Sequence, residues 1–373
     1  MTHIIDSKQA LPRWPLGSGQ HSEGIPSMPL KLAYLGVWHS HAVLHVREAA
    51  LRPDEFQIVG MYEPEEAVRQ QKWLQWTKFV PDIQVYANVE EVLFSEAEAV
   101  IVEGRIHQNL DYVEKALKAG KHVLLEKPAG IDLARLEELQ NLAQERGLQL
   151  QVAYMWRYNA AIHEMLRMAK SGALGDLFYY RGHIPKPKSW HPQIESTLGK
   201  YQAGVYFEMA GHLVDLMVAL LGEPVRAQSV LGKHFGNKSQ VDNAVVLYEF
   251  RSDCTAIVET AAMHVGTDRT RRIELYGTEG TAIHNQIGSN NLSLCLETGR
   301  EGYQTGWQDL TIETPDDFPT LLRELAACIR GDKEPDYSAA HDLAVQRVLF
   351  HGCGIPDGRA LKPDGSKPQI RSV

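Results

Sequence analysis

The sequence predicts an α/β protein with two folded domains, a doubly wound parallel sheet followed by a domain with an antiparallel or mixed sheet. Its 373 residues fit two domains at about 150 residues each. Apolar strands alternate with helices from residue 31 to about 151, which is typical of βαβ units. Strand-like runs then follow one another across short turns, which favours antiparallel pairing. We therefore place an N-terminal arm at 1–29, the parallel-sheet domain at 30–151 and the second domain at 152–373.

The elements of the first domain are predicted from this alternation of strand-like and helix-like segments. Strands are expected at Lys31–Gly36, Phe56–Glu63, Ala99–Gly104 and His122–Leu125, with a short element near Val85. Helices are expected at Ala42–Leu51, Glu65–Trp76, Val89–Phe94, Asn109–Ala119 and Leu133–Arg146. Gly120 and Gly147 directly follow the last two helices, as glycine often does at a helix C-terminus.

The elements of the second domain are predicted from a change in this pattern. Helices are expected at Ala160–Ala169, Tyr206–Leu221, Phe318–Arg330 and Ser338–His351. Strands are expected at Asp176–His183, Val225–Leu231, Ala244–Phe250, Thr255–Ala262, Arg272–Tyr276, Thr281–Asn285 and Leu292–Leu296. The tail from Gly352 is rich in Gly, Pro and Lys.

Composition and charge exclude several classes of protein. A hydrophobic content of 44% supports a sizeable core, and a net charge of −9 disfavours nucleic acid as a partner. The longest apolar runs are far shorter than a membrane span. The arm lacks the apolar centre of a secretory signal, and the four cysteines form no close pair. We expect a cytoplasmic protein with no membrane partner. Its N-terminal arm is expected to be either an extension without chemical function or a segment that packs across a neighbouring subunit.

Sixteen histidines make acid/base chemistry or metal binding the first possibility to examine. Two of them, His39 and His41, lie in the loop after the first strand. A dinucleotide fingerprint would place glycines at 36, 38 and 41, but only Gly36 fits, since Trp38 and His41 hold the other positions. Taken alone, this loop would not indicate a nucleotide. Glu63 ends the second strand, either as a ligand for ribose hydroxyls or as an ordinary strand-end acid.

Two further segments are candidates for catalysis. Lys127 follows a strand at the carboxyl edge of the sheet, where a lysine can serve as acid or base or simply be solvated before a turn. Glu208, His212 and Asp215 are spaced to share one face of an apolar helix. Buried charge is costly without partners. These residues therefore either form a functional site, or they serve as a structural cap or as a core histidine whose hydrogen bonds are made within the protein.

Four stretches of this sequence resemble one known family. They are the run Ala99–Val102 with Tyr112–Gly130 (YVEKALKAGKHVLLEKPAG), Tyr154–Asn159 (YMWRYN), Gly204–Asp215, and Tyr276–Thr281 (YGTEGT). Together they resemble the Gfo/Idh/MocA dehydrogenases over about Lys31 to His351. The resemblance implies a Rossmann-like domain and an α/β domain with a large open, mostly antiparallel sheet. It also implies NAD or NADP as cofactor and a sugar, polyol or related hydroxyl compound as substrate.

The same resemblance implies roles for single residues. Lys127 takes the position of the catalytic lysine and His212 that of the acid/base, while Glu208 stands where many members carry Asp. Glu63 would bind the adenosine ribose and favour NAD over NADP. The remaining cofactor contacts are expected at Gly36, Trp38, His39, Ser40, Glu103, His107, Glu126 and Arg157, although Arg157 could equally cover Trp156. Glu103-Gly104-Arg105 departs from the Thr-Pro-Asn-like segment that contacts the cofactor in the family.

Substrate contacts are expected from Lys186, Trp190 and His191 in a Pro-rich segment, with Lys188 nearby, and from Asp215 on the catalytic helix. A tryptophan beside polar groups suits a sugar ring, although an ordinary surface loop would look the same.

The sequence thus predicts an NAD-dependent oxidoreductase of a carbohydrate or polyol that forms a homodimer or homotetramer and holds no metal. Three alternatives stay open. One is a glycosidase, epimerase or lyase that uses tightly bound NAD without net redox. Another is a metal enzyme with Glu208, His212 and either His183 or His191 as ligands. The third is a sensor that has kept the fold without catalysis.

Overall fold

The computed structural model describes residues 28–190, 197–234, 240–286, 288–316 and 318–355. These residues form two compact units. The first contains the described residues up to Ala153 together with Pro319–Leu343, and the second contains Tyr154–Phe318 and the described residues from Ala344 onward. This division differs from the predicted domain at 152–373, because residues 319–343 pack with the first unit.

The first unit is built on a five-stranded parallel sheet in the order β2-β1-β3-β4-β5. Its strands are β1 (Leu30–Leu35), β2 (Phe56–Tyr62), β3 (Ala99–Val102), β4 (His122–Leu125) and β5 (Leu150–Val152). All four residues of β3 are fully buried, as expected of a central strand covered on both faces. The strand order reverses between β1 and β3, and this reversal is where sheets of this kind bind their ligands. The predicted parallel doubly wound sheet is confirmed.

Helices connect the strands of this sheet. They are α1 (Ala42–Ala50), α2 (Glu66–Trp76), α3 (Val89–Leu93), α4 (Ile106–Lys118) and α5 (Leu133–Glu145). The side chains of Asn88 and Asp132 cap α3 and α5 by accepting backbone amides three residues on. Helix α4 begins at Ile106, three residues earlier than predicted, so that it starts directly after the loop that follows β3.

The second unit is built on an eight-stranded sheet in the order β13-β12-β11-β10-β6-β9-β8-β7. Its strands are β6 (Leu177–Pro187), β7 (Arg226–Gly232), β8 (Asn243–Glu249), β9 (Thr255–His264), β10 (Arg272–Gly277), β11 (Gly280–Asn285), β12 (Asn291–Leu296) and β13 (Gly306–Thr311). Only the β6–β9 pair is parallel, and every other neighbouring pair is antiparallel. The predicted large and mostly antiparallel sheet is confirmed, although β13 was not predicted.

One face of this sheet is covered by helices. They are α6 (Ala160–Lys170), α7 (Val205–Met209) and α8 (Gly211–Leu221), and a 3₁₀ turn at Met155–Tyr158 precedes them. Helix α8 lies so close to β6 that a Cβ on Gly182 would stand 2.6 Å from Leu213 Cδ2. The single helix predicted at Tyr206–Leu221 is wrong, because α7 ends before Ala210 and α8 begins at Gly211. Gly211 is a poor helix former, which is consistent with a break there.

The last two helices are α9 (Leu321–Arg330) and α10 (Ala339–Gly352). Helix α9 belongs to the first unit, where Arg323 forms a bidentate ion pair with Glu55 at 2.5 and 2.8 Å. The Asp342 carboxylate accepts the backbone amide of Val152 at 3.1 Å, which ties the start of α10 to β5. No helix among the described residues has the length and apolar character needed to cross a membrane.

Candidate functional site

The loops after β1 and β3 lie against each other at the carboxyl edge of the first sheet. Gly36 has a φ of +75°, and a Cβ there would stand 2.5 Å from the Cα of Gly104. The amide of Glu103 donates to the Gly36 carbonyl at 3.2 Å, and the amide of His39 donates to the Glu103 carbonyl at 2.9 Å. Glycine is therefore required at position 36, because both its φ and its close neighbour exclude a side chain.

Glu63, at the end of β2, holds the loop after β1. Its carboxylate accepts the amides of Val37 at 2.8 Å and Glu65 at 3.1 Å, and the side chain is almost fully buried. Burial raises the pKa of the Glu63 carboxyl, and the two amide hydrogen bonds oppose this effect. The residue therefore shapes the loop, and its oxygens retain lone pairs for further donors.

Imidazoles and carboxylates cluster beside these loops. His39, His45, Glu103 and Glu126 are buried, and the side chain of His41 is 21% exposed. His41 Nδ1 lies 3.0 Å from Glu126 Oε1, and His45 Nδ1 lies 2.5 Å from Glu103 Oε1. His39 Nδ1 lies 3.5 Å from Glu126 and 3.7 Å from Glu103. We call these five residues the His–Glu cluster.

Burial and charge act in opposite directions on the pKa values within the His–Glu cluster. Burial alone would raise the pKa of Glu126, but the neighbouring His39 and His41 hold it well below its usual range. Burial lowers the pKa of His41, and Glu126 offsets only part of this change. For His45 the Glu103 carboxylate outweighs burial, so the pKa of His45 is raised. The charged form is therefore favoured for His45 and disfavoured for His41.

Lys127 lies next to this cluster, directly after β4. Its side chain is 2% exposed, and its Nζ lies 3.9 Å from Glu126 Oε1. The peptide bond between Lys127 and Pro128 is cis. The predicted catalytic lysine is thus a buried group at the carboxyl edge of the parallel sheet.

The other residues predicted to contact a cofactor in this unit lie around the same edge. Trp38 is partly exposed, and the Arg105 guanidinium stands 5.1 Å from its ring centroid while also pairing with Glu65. Ser40 is exposed, and His107 lies in the first turn of α4. Arg105 was noted in the sequence only as a departure from the family pattern, and it now joins the loop through its contact with Trp38.

In the second unit, His212 lies in an aromatic environment. Its ring stacks on Trp156 at a centroid distance of 4.7 Å and an interplanar angle of 10°, and the Tyr154 ring stands edge-on at 6.4 Å. His212 is 5% exposed. Neither Trp156 nor Tyr154 was assigned a role from the sequence, although both lie in the YMWRYN stretch that carries the family resemblance.

Arg157 and Asp215 form a buried ion pair with each other. Arg157 Nε lies 3.0 and 2.9 Å from the two carboxylate oxygens, and Nη2 lies 2.6 Å from Oδ1. The two side chains are 4% and 0% exposed. The pair links α8, which carries His212, to the 3₁₀ turn, which carries Trp156, and so holds together the two elements whose rings stack.

The remaining predicted site residues of this unit are more dispersed. Glu208 is buried on α7 whereas His212 is on α8, so the expected single helical face does not exist. Lys186 Nζ stands 3.8 Å from the Trp190 ring centroid, a cation–π contact. His191 lies outside the described residues.

Groups able to hold a metal occur among the described residues at the His–Glu cluster. One is His39, His41 and Glu126, and the other is His45, Glu103 and Glu126; in each, the potential ligand atoms lie within 4.8 Å of one another. Within the described part of the chain, no such group of three includes Glu208 or His212.

Comparison with known proteins identifies the class to which this fold and these sites belong. The family model described as "Oxidoreductase family, NAD-binding Rossmann fold" matches residues 34–154. The model described as "GFO/IDH/MocA C-terminal domain" matches residues 162–283. The two ranges together take up more than half of the chain. The chain belongs to the Gfo/Idh/MocA family of oxidoreductases, as the sequence motifs predicted, and its cofactor is NAD.

Individual relatives are similar over most of the chain. An uncharacterized oxidoreductase of Escherichia coli, YhhX, is 25% identical over 87% of this chain and 90% of its own length. The scyllo-inositol 2-dehydrogenase (NAD(+)) of Bacillus subtilis is 25% identical over 66% of this chain and 73% of its own. The solved levoglucosan dehydrogenase, in complex with NADH and levoglucosan, aligns with a TM-score of 0.74 over 88% of this chain and 97% of its own, at 16% identity. This last similarity shows a shared fold.

The loop after β1 retains groups that fit a dinucleotide although two glycines are replaced. No described residue accepts a hydrogen bond from the amides of Trp38 or Ser40, so both N–H groups are available to an anion. They lie just before the N-terminus of α1, where the helix dipole also favours negative charge. Glu63 stands at the end of β2 with acceptor capacity for ribose hydroxyls. The chain's own groups therefore fit NAD.

Proposed function

We propose that this protein is an NAD-dependent dehydrogenase that oxidises a secondary hydroxyl of a sugar, polyol or related compound. The observation that carries the proposal is Lys127, a buried lysine at the carboxyl edge of the NAD-binding sheet. The named activities of the relatives support the substrate class, since two act on scyllo-inositol and levoglucosan by their names. NAD, when bound, supplies the hydride acceptor.

In this proposal, Lys127 and His212 have different roles toward the reacting hydroxyl. Lys127 donates a hydrogen bond to the reacting oxygen, and its neighbour Glu126 at 3.9 Å holds the ammonium in place. His212 takes the hydroxyl proton, and its stacking on Trp156 restricts the orientation of the imidazole. Buried Glu208, one methylene longer than the usual Asp, shifts the substrate preference or the path of the proton.

We place the contacts with the dinucleotide in the loops at the carboxyl edge of the first unit's sheet. The amides of Trp38, His39 and Ser40 face the pyrophosphate, with the amide of His39 shared with the Glu103 carbonyl. Glu63 accepts the ribose hydroxyls and repels a 2′-phosphate, so NAD is preferred over NADP. Gly36, Glu103, His107 and Glu126 complete the proposed contacts in this unit. Arg157 and Asp215 act by positioning α8, because each already neutralises the other.

The cation–π pair of Lys186 and Trp190 is the proposed sugar-recognition element. An indole face covers the apolar side of a sugar ring, and an ammonium beside it hydrogen-bonds the ring hydroxyls. His191 is proposed to belong to the same segment.

Assembly and location are also proposed. The face of the second sheet that carries Tyr179, Arg181 and His183 is only partly buried, and we propose that it pairs two copies of the chain. Light scattering at micromolar concentration should give at least a dimer mass, and a monomer mass would contradict the pairing. We also propose a cytoplasmic location, which is consistent with four cysteines that form no disulfide with one another.

The activity is tested by following NADH formation with a panel of inositols, anhydrosugars and sugars. Lys127→Ala and His212→Asn should each lower kcat by a factor of about 10² to 10⁴. Lys118→Ala serves as the control, since Lys118 is exposed on α4 and pairs with Glu114. Full turnover by Lys127→Ala contradicts the mechanism. Product formation without net NADH, with NAD retained through purification, would instead assign a reaction without net redox.

A further inference from the structure

The His–Glu cluster brings three imidazoles and two carboxylates together beside the loop after β1. His39, His41 and His45 lie within seven residues, in the spacing H-x-H-x₃-H, which brings three imidazoles to the start of α1. Glu103 and Glu126 come from the ends of β3 and β4. Because β1, β3 and β4 are neighbours in the parallel sheet, the five side chains meet at one edge.

The distances within the His–Glu cluster are those of a ligand set. For a tetrahedral zinc ion with bonds of about 2.0–2.2 Å, neighbouring ligand atoms stand roughly 3.3–3.6 Å apart. Glu126 Oε1 lies 3.0 Å from His41 Nδ1 and 3.5 Å from His39 Nδ1. His39 Nδ1 accepts the amide of His41 at 3.2 Å, so a metal ion bound at this nitrogen would take the place of that hydrogen bond.

Three atoms of the cluster are buried without a hydrogen-bond partner in the described part of the chain. They are His45 Nε2, Glu103 Oε2 and Glu126 Oε2. A buried polar atom left without a partner costs about 1–3 kcal/mol. Such atoms indicate that a group outside the described residues completes this site.

We propose that His39, His41 and Glu126 bind a divalent transition-metal ion of the zinc class. Imidazole and carboxylate donors select zinc or manganese over magnesium and calcium. Glu103 also approaches these ligands, since its Oε2 lies 3.7 Å from His39 Nδ1 while its Oε1 pairs with His45 at 2.5 Å. Three protein ligands leave a coordination position open to water or to an oxygen atom of a bound molecule.

The test uses the full-length chain, stripped with a chelator and titrated with Zn²⁺ alone by calorimetry, without nicotinamide. Wild type should bind one equivalent with a micromolar or lower Kd, and metal analysis after gel filtration should find it. The His39→Ala/His41→Ala double variant should lose more than about 100-fold in affinity, and Glu103→Gln about 10- to 100-fold. His122→Ala should bind as wild type, since His122 is at the opposite end of β4 from Glu126 and contacts Gln149.

Two results would overturn the metal site: no Zn²⁺ uptake by wild type, or equal uptake by wild type and the double variant. Should the double variant fail to fold by circular dichroism, His41→Ala replaces it, because that side chain is partly exposed. In addition, Co²⁺ added to wild type should give visible absorption bands that Zn²⁺ abolishes. The absence of such bands would count against the imidazole ligands.

Discussion

The buried pair of Arg157 and Asp215 allows a quantitative prediction. The two side chains are 4% and 0% exposed and are joined by three N–O distances of 2.6–3.0 Å. Removing one partner leaves an uncompensated charge in the protein interior, which costs about 3–5 kcal/mol. Asp215→Ala and Arg157→Met should each lower the free energy of unfolding of the second unit by that amount. For a unit of this size, the melting temperature should fall by roughly 6–20 °C.

The assay is urea unfolding followed by tryptophan fluorescence, since Trp156 is next to the pair in the chain. Arg347→Met is the matched control, because Arg347 and Glu223 form an exposed pair at 2.7 Å and such pairs contribute about 0–1 kcal/mol. The double variant Arg157→Met/Asp215→Leu should lose less than the sum of the single variants. If Asp215→Ala unfolds like the control and only raises KM, Asp215 binds substrate and the structural interpretation is refuted.

Three further predictions concern pH, the loop glycine and cofactor choice. Burial would raise the pKa of Glu259, but hydrogen bonds from His183 and Arg181, together with the charge of Arg181, lower it from 4.5 to about 2. The carboxylate therefore contributes stability above pH 4.5 that is lost as the pH falls toward 2, about 1–2 kcal/mol after allowing for its partial exposure. Gly36→Ala should cost about 1–3 kcal/mol and weaken NADH binding, because φ is +75° and the β3 loop is in contact. Glu63→Ala should narrow the preference for NAD over NADP by about 10-fold, equal to about 1.4 kcal/mol of lost repulsion.

Each of these predictions has a control and a contradicting result. Glu259→Gln should flatten the stability profile between pH 4.5 and 2, and an unchanged profile would remove the carboxylate from the explanation. Gly120→Ala controls for loss of a positive-φ glycine, since a Cβ there meets nothing within 4 Å. A Glu63→Ala variant that still discriminates fully would show that another group excludes the 2′-phosphate.

The alternation of strands and helices predicted four of the five strands of the first sheet, and the short strand β5 (Leu150–Val152) was not predicted. Apolar runs such as Ala99–Val102 are too short for a typical helix, so their length favours a buried strand. The edge strand β13 was missed because its sequence, GWQDLT, is polar and mostly exposed. The break at Gly211 was missed because the apolar character of Tyr206–Leu221 is continuous across it.

The site residues could be predicted from the sequence where they directly follow a strand. Lys127 was placed at the carboxyl edge by its position after β4, and the same rule could have found Glu103, Glu126 and the histidines together. The partnership of Arg157 with Asp215 could not be predicted, since the residues are 58 positions apart and nothing local distinguishes a buried ion pair from two ligand contacts. Such pairing depends on tertiary packing.

Calorimetric titration of the purified full-length chain with NADH is the most direct test of the NAD-binding assignment, since the glycines at positions 38 and 41 are missing. The groups around Gly36 and Glu63 predict one equivalent of NADH per chain, with weaker binding of NADPH. No binding of either nucleotide at about 1 mM, a free energy weaker than about −4 kcal/mol, would contradict the assignment of this edge as a dinucleotide site.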